Sequence, residues 1–166
     1  MPAKKTKALS QTKQKQTIRK KKNPTPRSLD PLTKAERSER MSRIRGKDTK
    51  PEMVVRRLVH SLGYRFRLHK KDLPGKPDLA FPGRKKVIFV HGCFWHLHKP
   101  CNHYRYPKTR LDFWEPKLEG NRKRDRRNRA KLHRMEWSSM VIWECQIKDP
   151  AALARTEKRV RKFLES

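Results

Sequence analysis

The sequence predicts an α/β fold in which helices pack against a mixed sheet. Three observations point there. Hydrophobic periodicity runs in the order α-β-β-β-α-β-α along the chain. Two runs, Val87-Ile88-Phe89-Val90 and Met140-Val141-Ile142-Trp143, are continuously apolar, as core strands are. The 166 residues suit one domain with a single hydrophobic core.

Each element has a local signal. Thr33 with Glu36 forms a capping box that opens a short helix to about Met41. Thr49 with Glu52 forms a second, with Pro51 tolerated in the first turn. Val54, Val55, Leu58, Val59 and Leu62 then recur at helical spacing until Gly63. Residues 64–68 alternate apolar side chains with arginine, the pattern of a half-buried strand. A breaker-rich loop, 71–77, leads into a strand at 78–81, a turn at Pro82-Gly83-Arg84 and a buried strand at 87–90. An irregular segment, 91–106, carries cysteines and histidines. Residues 111–117 and 121–135 read as two helices, 140–143 as the last core strand and 150–165 as a closing helix. Neither an internal repeat nor a phosphate-binding loop of the G-x-x-x-x-G-K-[ST] type is present.

Charge narrows the function classes. Lys and Arg number 46 against 16 Asp and Glu, a net +30 and a pI near 10.9. Such a surface attracts polyanions, because neutralising phosphates releases their counterions. Residues 1–30 hold ten of the basic residues and one acidic one, Asp30, with few large apolar side chains. They are expected to form a basic, disordered arm, leaving 31–166 as the folded domain. That domain still carries 36 basic and 15 acidic residues. The first residues lack a secretory apolar core, and no apolar run approaches the roughly 18 residues of a membrane span, so a cytoplasmic location is expected. Three cysteines, an odd number, argue against a disulfide framework.

Several residues could carry chemistry. Asp78, at a strand start, could hold Mg²⁺, which takes oxygen ligands and polarises a scissile phosphate; a turn-terminating aspartate is the plainer reading. Cys93, His98 and Cys101 follow a C-x4-H-x2-C spacing, and Cys145 could complete a tetrahedral Zn²⁺ set. His103 could replace His98. His96 suits general-base work at neutral pH, Asp125 could orient its imidazole or be a surface ion-pair partner, and His91 could face a phosphate. Phe94, Trp95 and Trp114 are large aromatics in polar surroundings. They are either core packing or wedges that unstack bases.

Together these residues resemble a known family. Lys76-Pro77-Asp78-Leu79-Ala80-Phe81, eight residues, then Val90-His91-Gly92-Cys93-Phe94-Trp95-His96 is similar to the very-short-patch-repair (Vsr) mismatch endonucleases. So are Thr109 to Trp114, Asn121 with Asp125-Arg126-Arg127, and Trp143-Glu144-Cys145, a likeness spanning about 38–148. The resemblance implies a restriction-endonuclease-like three-layer α/β/α core with a structural zinc site. It implies a bacterial, nucleoid-associated, monomeric Mg²⁺-dependent endodeoxyribonuclease that nicks 5′ of the thymine in T·G mismatches left by 5-methylcytosine deamination. Double-stranded DNA is the implied partner, with mismatch-repair proteins as further candidates. Asp78 with the Val90 carbonyl is the implied magnesium site, and Glu52, His91, His96 and Asp125 the remaining catalytic set. Cys93, His98, Cys101 and Cys145 are the implied zinc ligands, and Phe94, Trp95 and Trp114 the rings that enter the DNA. Val90 stands where the family pattern has threonine, a change that a carbonyl ligand tolerates. The competing expectations are a related nicking or restriction endonuclease of other specificity and a zinc-containing DNA-binding module without catalysis.

Overall fold

A computed structural model describes residues 33–43, 46–101 and 104–166. The basic arm and His103 lie outside the described residues. Helix α1 spans Lys34–Ser42 and α2 Lys50–Ser61. Strands β1 (Arg67–Leu68), β2 (Leu79–Phe81) and β3 (Lys86–His91) follow, then the long helix α3 (Leu111–Arg134), β4 (Ser138–Trp143) and α4 (Pro150–Glu165).

The four strands form one mixed sheet in the order β1-β2-β3-β4. The pairs β1/β2 and β2/β3 are antiparallel, and β3/β4 is parallel, with Lys86 opposite Ser138 and His91 opposite Trp143. A parallel pair needs a long crossover, and α3 supplies it. Side chains alternate across the sheet, so its two faces bury different helices. Leu79, Phe81, Ile88, Met140 and Ile142 meet Val55 and Val59 of α2 and Val160 and Leu164 of α4. Ala80, Val87 and Phe89 on the other face meet Leu132 of α3. The result is three layers, with α2 and α4 below the sheet and α3 above it. No described helix is long and apolar enough to cross a membrane.

The capping signals hold, with one difference. Thr33 makes the full reciprocal box with Glu36. Thr49 caps α2, but the Glu52 carboxylate returns to the Asp48 N–H and the Thr49 hydroxyl rather than to the Thr49 N–H. Two other expectations are corrected. Only Arg67–Leu68 of the expected 64–68 strand pairs in the sheet, because Tyr64 and Phe66 owe their alternation to packing against the core. The two helices expected at 111–117 and 121–135 are one helix of 24 residues. Pro116 lies in its second turn and removes one bond from the helix ladder, and the fully buried Leu118 and Leu132 anchor both halves.

Gly120 is then an exposed mid-helix glycine whose added Cβ would meet nothing within 4 Å. Gly120→Ala is expected to raise stability by about 0.5–1 kcal/mol in a urea titration. Unchanged or lowered stability would mean that α3 is not continuous through this residue in solution.

Candidate active site

The C-terminal end of β3 organises the site. The Asp78 carboxylate, just before β2, accepts a hydrogen bond from the Val90 N–H at 2.7 Å. It makes no ion pair with any described cation. Burial pushes its pKa up to about 6, and the neighbouring Glu52 carboxylate adds to the rise, while His69 and Arg56 oppose it. A half-buried carboxylate with one N–H partner and no ion pair among the described residues suits a hard dication.

His91 ends β3 and is buried; burial first, then the neighbouring His96, pulls its pKa down to about 3. It is therefore neutral at physiological pH. The His96 ring stacks on it with centroids 3.7 Å apart. His96 Nδ1 in turn lies 2.6 Å from Asp125 Oδ2 on α3. A carboxylate accepts, so this contact places the proton on Nδ1 and leaves Nε2 as the basic nitrogen. Gly92 makes the turn between the two histidines possible, since a Cβ there would lie 3.2 Å from the Trp95 indole.

The same loop builds a second cluster. Single donor atoms of Cys93, His98, Cys101 and Cys145 all lie within 4.8 Å of one another. His98 Nδ1 is 3.6 Å from Cys93 Sγ and 3.4 Å from Cys145 Sγ. Three thiols and an imidazole form the donor set of a closed tetrahedral metal site with soft ligands. Burial pushes the Cys93 thiol up to about 12, a value that a dication among the sulfurs would invert. Trp143 joins the two clusters: its indole stacks on His98 at 4.1 Å and meets His91 edge-on at 5.4 Å.

Aromatic rings gather beside the histidines. Phe94 packs edge-on against Trp95 at 5.1 Å and Trp114 at 5.3 Å, and Phe113 meets Trp114 at 5.1 Å. Lys117 Nζ lies 5.2–5.8 Å from the ring centroids of Phe113, Trp114 and Trp95. Asn121 ties this group to α3 by donating to the Trp95 carbonyl at 3.1 Å. The rings pack on one another rather than in either core cluster, and Phe113 is 43% exposed.

A cleft of about 880 Å³ connects these parts; its lining includes Glu52, His69, Asp78, His91, Trp95 and His96. Glu52 is buried in its wall and fully engaged, accepting from the Asp48 N–H, the Thr49 hydroxyl and Arg56 Nη2. The structure thus brings Asp78, His91, His96, Asp125 and Glu52 to one cleft and assembles all four expected metal-binding Cys and His residues. It also shows groups that sequence reading missed. Lys117 follows Phe113 and Trp114 by four and three residues, a helical spacing that could have signalled contact. Arg56, Asp48 and His69 meet beside Glu52, but His69 is 13 residues from Arg56 and no local pattern links them.

Comparisons with known proteins agree with this geometry. A family model described as DNA mismatch endonuclease Vsr matches residues 29–103. The type II nicking enzyme V.XorIIP of Xanthomonas oryzae pv. oryzae is 51% identical over 136 residues, 82% of this chain and 97% of that relative. The chain belongs to the Vsr family of DNA-nicking endonucleases. The type II nicking enzyme V.NmeAIP of Neisseria meningitidis serogroup A is 40% identical over 122 residues, covering 74% of this chain and 86% of its own. The Escherichia coli K12 DNA mismatch endonuclease Vsr is 39% identical over 115 residues, 69% of this chain and 73% of that relative. The family-model match covers Glu52, Asp78, His91 and His96 of the cleft and Cys93, His98 and Cys101 of the cluster, and ends before Asp125 and Cys145.

The Asp78 carboxyl has a testable cost. Its native pKa of about 6 exceeds the ordinary 3.8, so the native state binds the proton more tightly than the unfolded chain. Its stabilising contribution is complete below about pH 4 and is lost as the pH rises through about 6. Two pKa units correspond to about 3 kcal/mol, an upper figure. Asp78→Asn, compared with wild type in Mg²⁺-free buffer without chelator, is expected to raise stability above pH 6 by about 1–3 kcal/mol and to bring little gain at pH 4. Equal stability of the two proteins at both pH values would show that Asp78 is not a strained, half-buried carboxylate.

Proposed function

We propose that this protein is a Mg²⁺-dependent endonuclease that nicks one strand of duplex DNA 5′ of the thymine in a T·G mismatch, on a restriction-endonuclease-like core. The observation that carries the reading is the aromatic cluster standing directly beside the Asp78, His91 and His96 cleft. Phosphates look alike at every step, so a basic surface supplies affinity without selecting a mispair. A T·G wobble stacks less well than a Watson–Crick pair, and opening the step beside it costs less. Apolar rings entering that step replace the lost stacking. The mismatch named in the family description, and in the name of the Escherichia coli relative, supports this substrate.

Each residue then has a part. Asp78 and the Val90 carbonyl would hold Mg²⁺, which when bound polarises the scissile phosphate. His96 Nε2 takes a proton from the attacking water as its oxygen bonds to phosphorus and an ester oxygen leaves. Asp125 steadies the resulting imidazolium through Nδ1. His91, neutral, donates to the phosphate. The Cys93, His98, Cys101 and Cys145 set would hold Zn²⁺; with four protein ligands it leaves no position for water, so its part is structural.

A panel of labelled duplexes with Mg²⁺ tests the proposal. The T·G duplex is expected to be nicked in its T strand, the matched duplex left intact, and Asp78→Ala to nick neither. In the Asp78→Ala background at fixed salt, Trp95→Ala should cost about 1–3 kcal/mol of T·G affinity and less of matched affinity. Lys123, on the exposed side of α3, serves as a control whose loss should weaken both duplexes alike. Equal losses for Trp95→Ala on the two duplexes would show that the rings are packing, and nicking confined to another duplex would replace the substrate.

A further inference from the structure

The cleft wall formed by α2 and the segment after β1 contains a histidine with no role above. Arg56 is 9% exposed and reaches four groups: Asp48 Oδ1 at 2.6 Å, Glu52 Oε2 at 3.1 Å, His69 Nε2 at 3.0 Å and, more weakly, Met53 Sδ at 3.6 Å. A guanidinium is always charged and can only donate. Its contact with His69 therefore requires Nε2 to carry a lone pair, which puts the ring proton on Nδ1. His69 also lines the same cleft as Asp78. Its backbone sits at φ +46°, a left-handed conformation that an L-residue adopts at a cost and that recurs at functional sites.

We propose that His69, held in one tautomer by Arg56, is a further phosphate-binding residue of this cleft, its Nδ1–H donating to a non-bridging oxygen of the phosphodiester beside Asp78. Arg56 is the positioning residue: its charge is matched by Asp48 and Glu52, and Nη2, which also donates to Glu52, fixes the imidazole. A neutral donor set before substrate arrives needs no reorganisation as charge builds on the phosphate. The inference rests on the nuclease reading of the cleft.

Two measurements test it. Nitrogen-15 NMR of the intact protein near neutral pH, in Mg²⁺-free buffer without chelator, should show His69 with a protonated Nδ1 and an unprotonated Nε2. Arg56→Lys, which keeps a donor, should preserve that pattern, and Arg56→Met should release it. If Arg56→Met does not fold, the wild-type signature decides, and an Nε2–H tautomer or an imidazolium overturns the proposal. The second measurement is single-turnover nicking of whichever duplex the wild type cuts. His69→Gly relieves the backbone and removes the donor; it is expected to slow nicking about 100-fold with duplex affinity little changed. His69→Asn tolerates the left-handed backbone, restores an N–H and should recover most of the rate. A wild-type rate in His69→Gly overturns the proposal while the nuclease reading stands. A wild-type protein that cuts no duplex overturns both.

Discussion

The parallel pairing of β3 with β4 is the constraint from which the site follows. Six residues of each strand are in register, so the strands end level, with His91 beside Trp143. The chain leaving β3 and the chain leaving β4 therefore emerge side by side. Cys93, His98 and Cys101 come from the first and Cys145 from the second, and their donor atoms converge. The same strand end sets Val90 against Asp78 and His91 against His96. A one-residue slip of β3 would turn Val90 and His91 to the opposite faces of the sheet. The crossover that permits the pairing, α3, also delivers Asp125 to His96 and Asn121 to the aromatic loop.

Two donor sets of opposite character thus share one short segment. The sulfur-rich cluster pins the loop between Cys93 and Cys101 to the end of β4, and the oxygen and imidazole groups face the cleft. Trp143 spans them by lying flat on His98 and edge-on to His91. Their separation has a chemical logic, because thiolates select soft or borderline ions and carboxylates hard ones. The half-buried Asp78 carboxylate, its pKa raised to about 6, shows what the cleft costs the fold. Strain adds to it at His69 and Lys76, both non-glycine residues at positive φ in the cleft lining.

Much of this was legible in the sequence where the determining interactions are local. The caps at Thr33 and Thr49, the apolar runs of β3 and β4, and the closely spaced Cys93, His98 and Cys101 need few residues to be read. Cys145 was readable only as the one remaining cysteine, at the end of the last core strand, because it lies 44 positions from Cys101 and the sheet brings them together. Pro116 and Gly120 suggested a break in α3 that the burial of Leu118 overrides. The alternation at Tyr64 and Phe66 came from packing, not from a strand ladder. Arg56 and His69 were silent, since nothing in either segment announces their contact.

Anomalous diffraction from crystals grown with Zn²⁺ and Mn²⁺, the latter standing in for Mg²⁺, tests the division of labour most directly. Data collected at both absorption edges should show zinc among Cys93, His98, Cys101 and Cys145, and manganese at Asp78 near the Val90 carbonyl. Zinc at Asp78 and His91, or a Cys/His cluster that holds neither ion, would contradict a structural metal beside a separate hydrolytic one.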